Sequence, residues 1–337
     1  MINAVSDVVI GLQYGDEGKG KAVDHLVKSG FYNLCLRYNG GPNAGHTVYV
    51  DGKKMATHQV PSGALTGIMS VIDANCMVDP VKLEAELAYI KDELPYLDIY
   101  NLVKVSKHCN IITAKHIAYD KVNDKVGTTH SGMTPAYVDK YNRTGQRAGD
   151  YDHPIFERIE LVDTFNFINN NYPEPKIIFE GAQGYELDVN SDTYPYVTST
   201  HCTSAFAFTG GVSIRSLRNV WGIAKLYVTY VGSMEFQPDD PIFTKLQELG
   251  HEFGVTTGRA RQTNWLDLDK LYKAVVVNSV NKLLINKADI IRDLGVYRLF
   301  HQGELYEFTT FDKMLEYVSA VFDGVTEVIF SYSPERI

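Results

Sequence analysis

With 337 residues, 45% of them hydrophobic, the chain can bury a sizeable core as one large domain or two modest ones. A net charge of -9 argues against a broad footprint for duplex nucleic acid, which favours a basic face. The four cysteines, Cys35, Cys76, Cys109 and Cys202, are too far apart for a zinc-type spacing or a disulfide framework, and neither a basic leader before an apolar segment nor a run long enough to span a membrane is visible. The expectation is a cytoplasmic protein whose partners are neither nucleic acid nor membrane.

In chain order, Val8-Val9-Ile10 reads as a buried strand, followed by a glycine-rich loop and a helix with Val23, Leu26 and Val27 on its apolar stripe, ending at Gly30. Leu34–Tyr38 reads as a second strand. Val48-Tyr49-Val50 before Asp51-Gly52 reads as a hairpin, because Asp-Gly tolerates the positive φ of a tight turn. Asp79-Pro80 opens a helix whose buried face is Leu83, Leu87 and Ile90. Further strands are expected at Lys176–Phe179, Val220–Tyr230, Lys282–Ile285 and Glu327–Ser331. Apolar runs alternating with amphipathic ones predict an α/β fold: a P-loop-like, mostly parallel central sheet flanked by helices, with inserted loops and small subdomains. No fixed-period repeat or linker interrupts it, so residues 1–337 are taken as a single domain.

The segment Gly11-Leu12-Gln13-Tyr14-Gly15-Asp16-Glu17-Gly18-Lys19-Gly20-Lys21 lies between the first strand and the first helix. Glycines there let backbone N–H groups approach phosphate oxygens, the helix N-terminus favours an anion, and lysine neutralises charge, so a nucleoside triphosphate site is expected. The spacing from Gly15 nearly fits a P-loop, but Ala22 stands where a Ser or Thr would hold magnesium. Asp16 is the hard oxygen donor that could replace it. Lys19 is expected to act from a surface loop rather than from a core contact.

The run QYGDEGKGKAVD resembles the signature of the adenylosuccinate synthetases, with Tyr14 where that family usually has tryptophan. Four more elements follow in the family's order: Asn43-Ala44-Gly45-His46-Thr47, Glu180-Gly181-Ala182-Gln183-Gly184, Thr193–Ser199, and Thr256-Thr257-Gly258-Arg259. The short length is similar to the compact, archaeal-like branch. The resemblance implies a ligase that joins L-aspartate through its amine to the 6-position of a purine nucleoside monophosphate, forming a C–N bond. A 6-oxopurine is a cyclic amide with a poor leaving group, and phosphorylation of O6 by the γ-phosphate activates it.

By the same resemblance, Asp16 is the base at N1 and a Mg2+ ligand together with the Gly45 carbonyl, while His46 is the acid at the transferring phosphoryl group. Lys19 and Gln183 complete the catalytic set. The triphosphate of ATP or GTP is bound by Gly15, Glu17, Gly18, Lys19, Gly20 and Lys21, with Lys287 and Asp289 of Asn286-Lys287-Ala288-Asp289 reading the base. The acceptor nucleotide is held by Asn43, Gln183, Thr128, Thr129, Ser131, Thr198, Arg259 and Arg143, the last reaching across a homodimer. Aspartate is bound by Thr256, Thr257, Arg259 and Arg261, and planar guanidinium groups suit its carboxylates independently of ancestry.

A different class also needs a phosphate loop and an Asn-Lys-x-Asp element, namely a GTP-binding switch module. A switch leaves Thr198, Arg143 and the Arg259/Arg261 pair unexplained. Within the ligase reading, His130 and Thr134 replace expected glycines. Tyr230 and Ser233-Met234-Glu235 alter another family element, and Pro42 is similar to a phage branch that uses dGMP and makes N6-succino-2-amino-2′-deoxyadenylate. Asp16 is retained, although that branch often lacks it. The acceptor is therefore expected to be dGMP, with ordinary adenylosuccinate synthesis from IMP and GTP as the alternative. Ser131 or a neighbouring backbone carbonyl is expected to receive the 2-amino group.

Overall fold

The computed structural model describes residues 3–124, 126–254, 258–335 and 337. Nine strands form one sheet in the order Glu327–Phe330, Lys282–Asn286, Leu217–Lys225, Val5–Gly11, Lys176–Glu180, Leu34–Arg37, Met69–Ile72, Val103–Ser106, Glu160–Val162. Every adjacent pair in it is parallel. A parallel sheet must be covered on both faces, so its central strands read as continuous apolar runs rather than alternating ones. Val8, Val9 and Ile10 are buried accordingly. The expected α/β class is observed.

Several helices begin at a side-chain cap. Asp79 accepts hydrogen bonds from Val81 and Lys82 N–H at the start of the helix Pro80–Glu93, and Leu83, Leu87 and Ile90 are its buried residues. The hairpin is observed as His46–Val50 paired with Lys53–Thr57, with Asp51 at φ 51° and Gly52 at φ 76°. Val48, Val50 and Met55 face a second core beneath it.

One expectation is corrected. Val220–Tyr230 is not a single strand: Leu217–Lys225 belongs to the main sheet, while Tyr227–Tyr230 starts a four-stranded sheet with Gln262–Asp267, Arg298–His301 and Glu304–Glu307. Nearly every residue from Val220 to Tyr230 is buried, Lys225 and Thr229 included, so no alternation marks the break at Leu226. The break matters because it anchors the phosphate loop. Gln13 Nε2 donates to the carbonyls of Lys225 (3.0 Å) and Tyr227 (3.2 Å) on either side of it, and Gln13 Oε1 accepts from Lys225 N–H (3.0 Å). Among the described residues, no helix is long and apolar enough to cross a membrane.

Candidate active site

The carboxyl ends of the central strands open into a cavity of about 720 Å³, the usual ligand position in an open α/β sheet. After the strand Val5–Gly11 the chain turns through Gly15 (φ 87°), Asp16 (φ 59°) and Gly18 (φ 98°) into the helix Lys19–Val27. The first intrahelical bond runs from Ala22 N–H to the Gly18 carbonyl. The N–H groups of Lys19, Gly20 and Lys21 thus have no partner within the helix, which makes its end an anion site.

Glu17 organises this loop from within. Its carboxylate accepts from Gln13 N–H (3.1 Å) and Gly15 N–H (2.9 Å) and pairs with Lys19 Nζ at 2.6 Å. Asn286 Nδ2 donates to the Glu17 carbonyl at 2.7 Å, tying the loop to the strand Lys282–Asn286. Two expectations change as a result. Lys19 is no surface charge: it is 3% exposed and half of a buried ion pair. The carboxylate of Glu17, also buried, is committed to the loop itself rather than to a nucleotide. Lys21 Nζ donates to Ser331 Oγ (2.8 Å) and the Ser333 carbonyl (2.9 Å), so it fastens the helix to the C-terminal segment, and burial pushes its pKa down to about 8.

His46 begins the hairpin and lines the same cavity. Its Nδ1 bonds Glu180 Oε1, and Arg37 Nη2 lies 3.0 Å from Nδ1 and 3.3 Å from the same carboxylate oxygen. A carboxylate oxygen against a bare ring nitrogen would be repulsive. Nδ1 therefore carries the proton, and the neutral ring leaves Nε2 as its acceptor. Burial and then the Arg37 charge push His46 down to about 4, against the pull of Glu180. Burial alone would raise Glu180, but Arg37, His46 and the Ser62 hydroxyl hold it down to about 2. Ser62 donates to this carboxylate from both its N–H (2.7 Å) and its hydroxyl (2.5 Å). Sequence reasoning assigned no role to Arg37, Ser62 or Glu180. Only Glu180 left a signal, as an acid ending an apolar strand inside a quoted motif.

Asp16 is exposed to the cavity, and its Oδ2 lies 2.8 Å from Arg261 Nε. Arg261 also pairs with the buried Glu252 at 2.6 Å, and Glu252 in turn contacts Lys225 Nζ at 3.3 Å. The expected aspartate-binding arginine is thus already engaged by two carboxylates. Thr256 and Thr257 lie outside the described residues, while Arg259 lines the cavity. Among the described residues, no three His, Cys, Asp or Glu side chains gather as a metal cluster. Asp16 and Gly45 both line the cavity, a donor set of one carboxylate and one carbonyl. That set fits Mg2+, which takes few protein ligands and completes its shell with phosphate oxygens and water.

Between the phosphate loop and the far wall, Asn43 Oδ1 and both amide atoms of Gln183 are buried without a hydrogen-bond partner, and both residues line the cavity. The far wall is the segment 126–134. Asp124 Oδ1 accepts from Gly127 N–H (2.7 Å) and Thr128 N–H (2.9 Å), and Asp124 Oδ2 bonds His130 Nε2 at 2.8 Å. Ser233 N–H donates to the Val126 carbonyl (3.2 Å), and Thr134 bonds Ser199 (2.8 Å). Thr128, Thr129, Thr134, Thr198 and Tyr230 line the cavity.

Two expected acceptor residues are not brought there by this chain. Ser131 is buried outside the lining, and its hydroxyl accepts from Thr129 Oγ1 at 3.0 Å rather than facing the cavity lining. Arg143 is exposed at the end of the helix Met133–Asn142, also outside the lining. At the opposite end Asp289 lines the cavity, and Lys287 Nζ donates to the Gly250 carbonyl at 2.8 Å.

The sequence profile of the adenylosuccinate synthetase family matches residues 8–160 and 154–309. The adenylosuccinate synthetase of Parabacteroides distasonis is 37% identical over 85% of this chain and 78% of its own length, and that of Picrophilus torridus is 36% identical over 86% and 78%. The solved structure of fully ligated adenylosuccinate synthetase from Plasmodium falciparum superposes with a TM-score of 0.85 at 26% identity, covering 98% of each chain. The succinoaminodeoxyadenylate synthetase of cyanophage S-2L, solved with dGMP and dATP, shares the fold with a TM-score of 0.71 at 21% identity over 95% of this chain and 99% of its own. A nucleotide switch is set aside by these matches: the chain belongs to the adenylosuccinate synthetase family, ligases that form a C–N bond between aspartate and a purine nucleotide.

Proposed function

We propose that the cavity holds a nucleoside triphosphate, a purine nucleoside 5′-monophosphate and L-aspartate together, and that the chain condenses them through a 6-phosphoryl intermediate. The observation that carries this is the set of orphaned amide atoms of Asn43 and Gln183 between the phosphate loop and the segment 126–134. A buried polar atom without a partner costs about 1–3 kcal/mol. A purine edge supplies donors and acceptors to both amides.

The triphosphate then lies on the N-terminus of the helix Lys19–Val27, with Lys19 and the backbone of Gly18 and Gly20 against its oxygens and His46 Nε2 at the transferring group. His46 is neutral in the ligand-free site, and the negative phosphates favour its protonation, which suits it to act as an acid. Asp16 takes the N1 proton as O6 becomes nucleophilic. Mg2+, held by Asp16, Gly45 and phosphate oxygens, would neutralise charge on the triphosphate. Arg261 must loosen from Asp16 as these ligands arrive, which frees a guanidinium for the incoming aspartate, whose other proposed contacts are Arg259, Thr256 and Thr257. Arg143 serves the acceptor's 5′-phosphate from a second copy in a homodimer, since it lies outside this chain's own cavity.

GTP is the proposed donor. Asp289 lines the cavity and its carboxylate meets no hydrogen-bond donor among the described residues, leaving it free for a guanine N1–H and amino group. dGMP is the proposed acceptor because the departures at Thr134 and Tyr230 line the cavity, and Ser233, outside the lining, donates its N–H to the carbonyl of Val126, which does line it. The second reading, IMP, is favoured by relatives at 36–38% identity that are adenylosuccinate synthetases. Initial phosphate release with saturating aspartate, comparing dGMP, GMP and IMP with GTP and then ATP, decides between them. A clear preference for IMP removes the dGMP reading, and a preference for ATP removes the role of Asp289.

A further inference from the structure

Behind the phosphate loop lies a second, smaller hollow of about 230 Å³. Tyr14 lines both it and the main cavity, and Phe236, Trp265, Leu271 and Phe300 make it largely apolar. Of the polar groups that line it, the Gln13 amide is bonded to Lys225 and Tyr227 and Asp267 Oδ1 accepts from Asp269 and Lys270 N–H, while Glu186, 7% exposed, lies deep. The backbone of Glu186 is fixed on both sides, N–H to the Gln13 carbonyl (3.0 Å) and carbonyl to Thr193 Oγ1 (2.7 Å), yet its carboxylate accepts no hydrogen bond from any described residue. Burial pushes this carboxyl up to about 7, against the pull of Lys270 and Lys273. Neither lysine bonds it: Lys273 pairs with Asp192, and Lys270 Nζ donates to the Tyr14 hydroxyl at 3.2 Å. Lys270 is exposed where Glu186 is buried, so the ammonium stands at the mouth and the carboxyl deep inside.

A bare anion entering this hollow meets the deep carboxylate, and a bare amine must pass the lysine. A molecule carrying both charges, cation first, satisfies each. We propose that the hollow binds a small zwitterionic α-amino acid with an apolar side chain, its ammonium on Glu186, its carboxylate on Lys270 and its side chain against Phe236 and Trp265. At roughly 30 Å³ per water the space holds the equivalent of about eight waters, the scale of a small amino acid. Charge-assisted hydrogen bonds at both ends, in a site with apolar walls, give the occupant its orientation.

The test is calorimetric titration of the full chain with L-leucine, alongside 4-methylpentanoate, which lacks the ammonium, and 3-methylbutylamine, which lacks the carboxylate. Saturable leucine binding is expected, with each analogue about 10-fold weaker or worse, the loss for one charge-assisted bond. Glu186→Gln and Lys270→Met should each weaken leucine by a similar factor, and excess L-aspartate should leave leucine binding unchanged because the sites are separate. If Glu186→Gln does not fold, Lys270→Met and the two analogues decide alone. Absence of saturable binding, an analogue equal to leucine, unchanged affinity in Lys270→Met, or displacement by aspartate would each overturn the proposal.

Discussion

The two ends of the main cavity are built on opposite principles. At the donor end the phosphate loop is complete before any ligand arrives: Glu17 fills the turn, Lys19 neutralises it, Asn286 and Gln13 pin it to neighbouring strands, and Lys21 fastens the helix behind it. At the acceptor end Asn43 Oδ1 and both amide atoms of Gln183 are buried and unsatisfied, and Arg143 is exposed outside the cavity lining. The donor end spends its polar groups on rigidity, whereas the acceptor end holds them in reserve. Substitutions at the first should therefore cost stability and turnover together, and substitutions at the second should cost recognition alone.

The largest expected effect is at Lys19. Lys19→Ala leaves Glu17 charged and buried, and breaking such a pair from one side costs about 3–5 kcal/mol. Turnover should vanish and the thermal midpoint should fall; a normal midpoint would break the contrast between the two ends. Asp16→Asn comes next. Asp16 is the exception at the donor end: it is exposed to the cavity, so stability should hold while phosphorylation of the acceptor falls about 10²–10⁴-fold, the range for loss of a general base. Acceptor-dependent positional isotope exchange in the γ-phosphate bridge measures that step with GTP binding still intact.

The His46 and Glu180 pair predicts the acid limb of stability. His46 is depressed to about 4 in the fold from 6.5, so below pH 6.5 the unfolded chain binds the proton more readily, and stability is lost as pH falls from 6.5 towards 4. Glu180, depressed to about 2 from 4.5, contributes stability above pH 4.5 that is lost as pH falls towards 2. Urea unfolding at pH 7 and pH 4.5 should show a smaller difference for His46→Asn than for the wild type. An equal difference would mean that the histidine is charged in the fold.

At the acceptor end, Gln183→Ala removes two orphaned atoms, so stability should be unchanged or slightly higher. The acceptor should bind weaker by about 1–3 kcal/mol, as for loss of a buried hydrogen bond. The KM for the acceptor against that for GTP, with a melting curve, checks both halves. The smallest effect is expected for Arg143→Leu, which should leave stability untouched and weaken the acceptor only. Mixing it with Asp16→Asn subunits should restore part of the activity if the arginine crosses a dimer interface; verified mixed dimers without rescue would place the phosphate elsewhere.

Much of the donor end could be read locally because its chemistry is local. Gly15, Asp16 and Gly18 occupy positive φ within four residues, and the following helix begins at Lys19, so spacing alone announces an anion site. The parallel sheet was equally legible, since strands buried on both faces must be apolar throughout. The same rule hid the break at Leu226, because a buried run gives no period to interrupt.

The sequence by itself determined the class of fold, the phosphate loop and, through five ordered motifs, the family. Only the tertiary structure decided which charges face the ligands. Lys19, Glu17, Ser131 and Arg261 belong to residue types expected at surfaces or ligands, yet each is buried in a partnership formed by packing. The Arg37–Glu180–His46 cluster joins residues up to 143 positions apart, counted from 37 to 180, at the carboxyl ends of neighbouring strands. Desolvation sets the protonation of such a group, and desolvation depends on everything packed around it, which no local stretch of sequence contains.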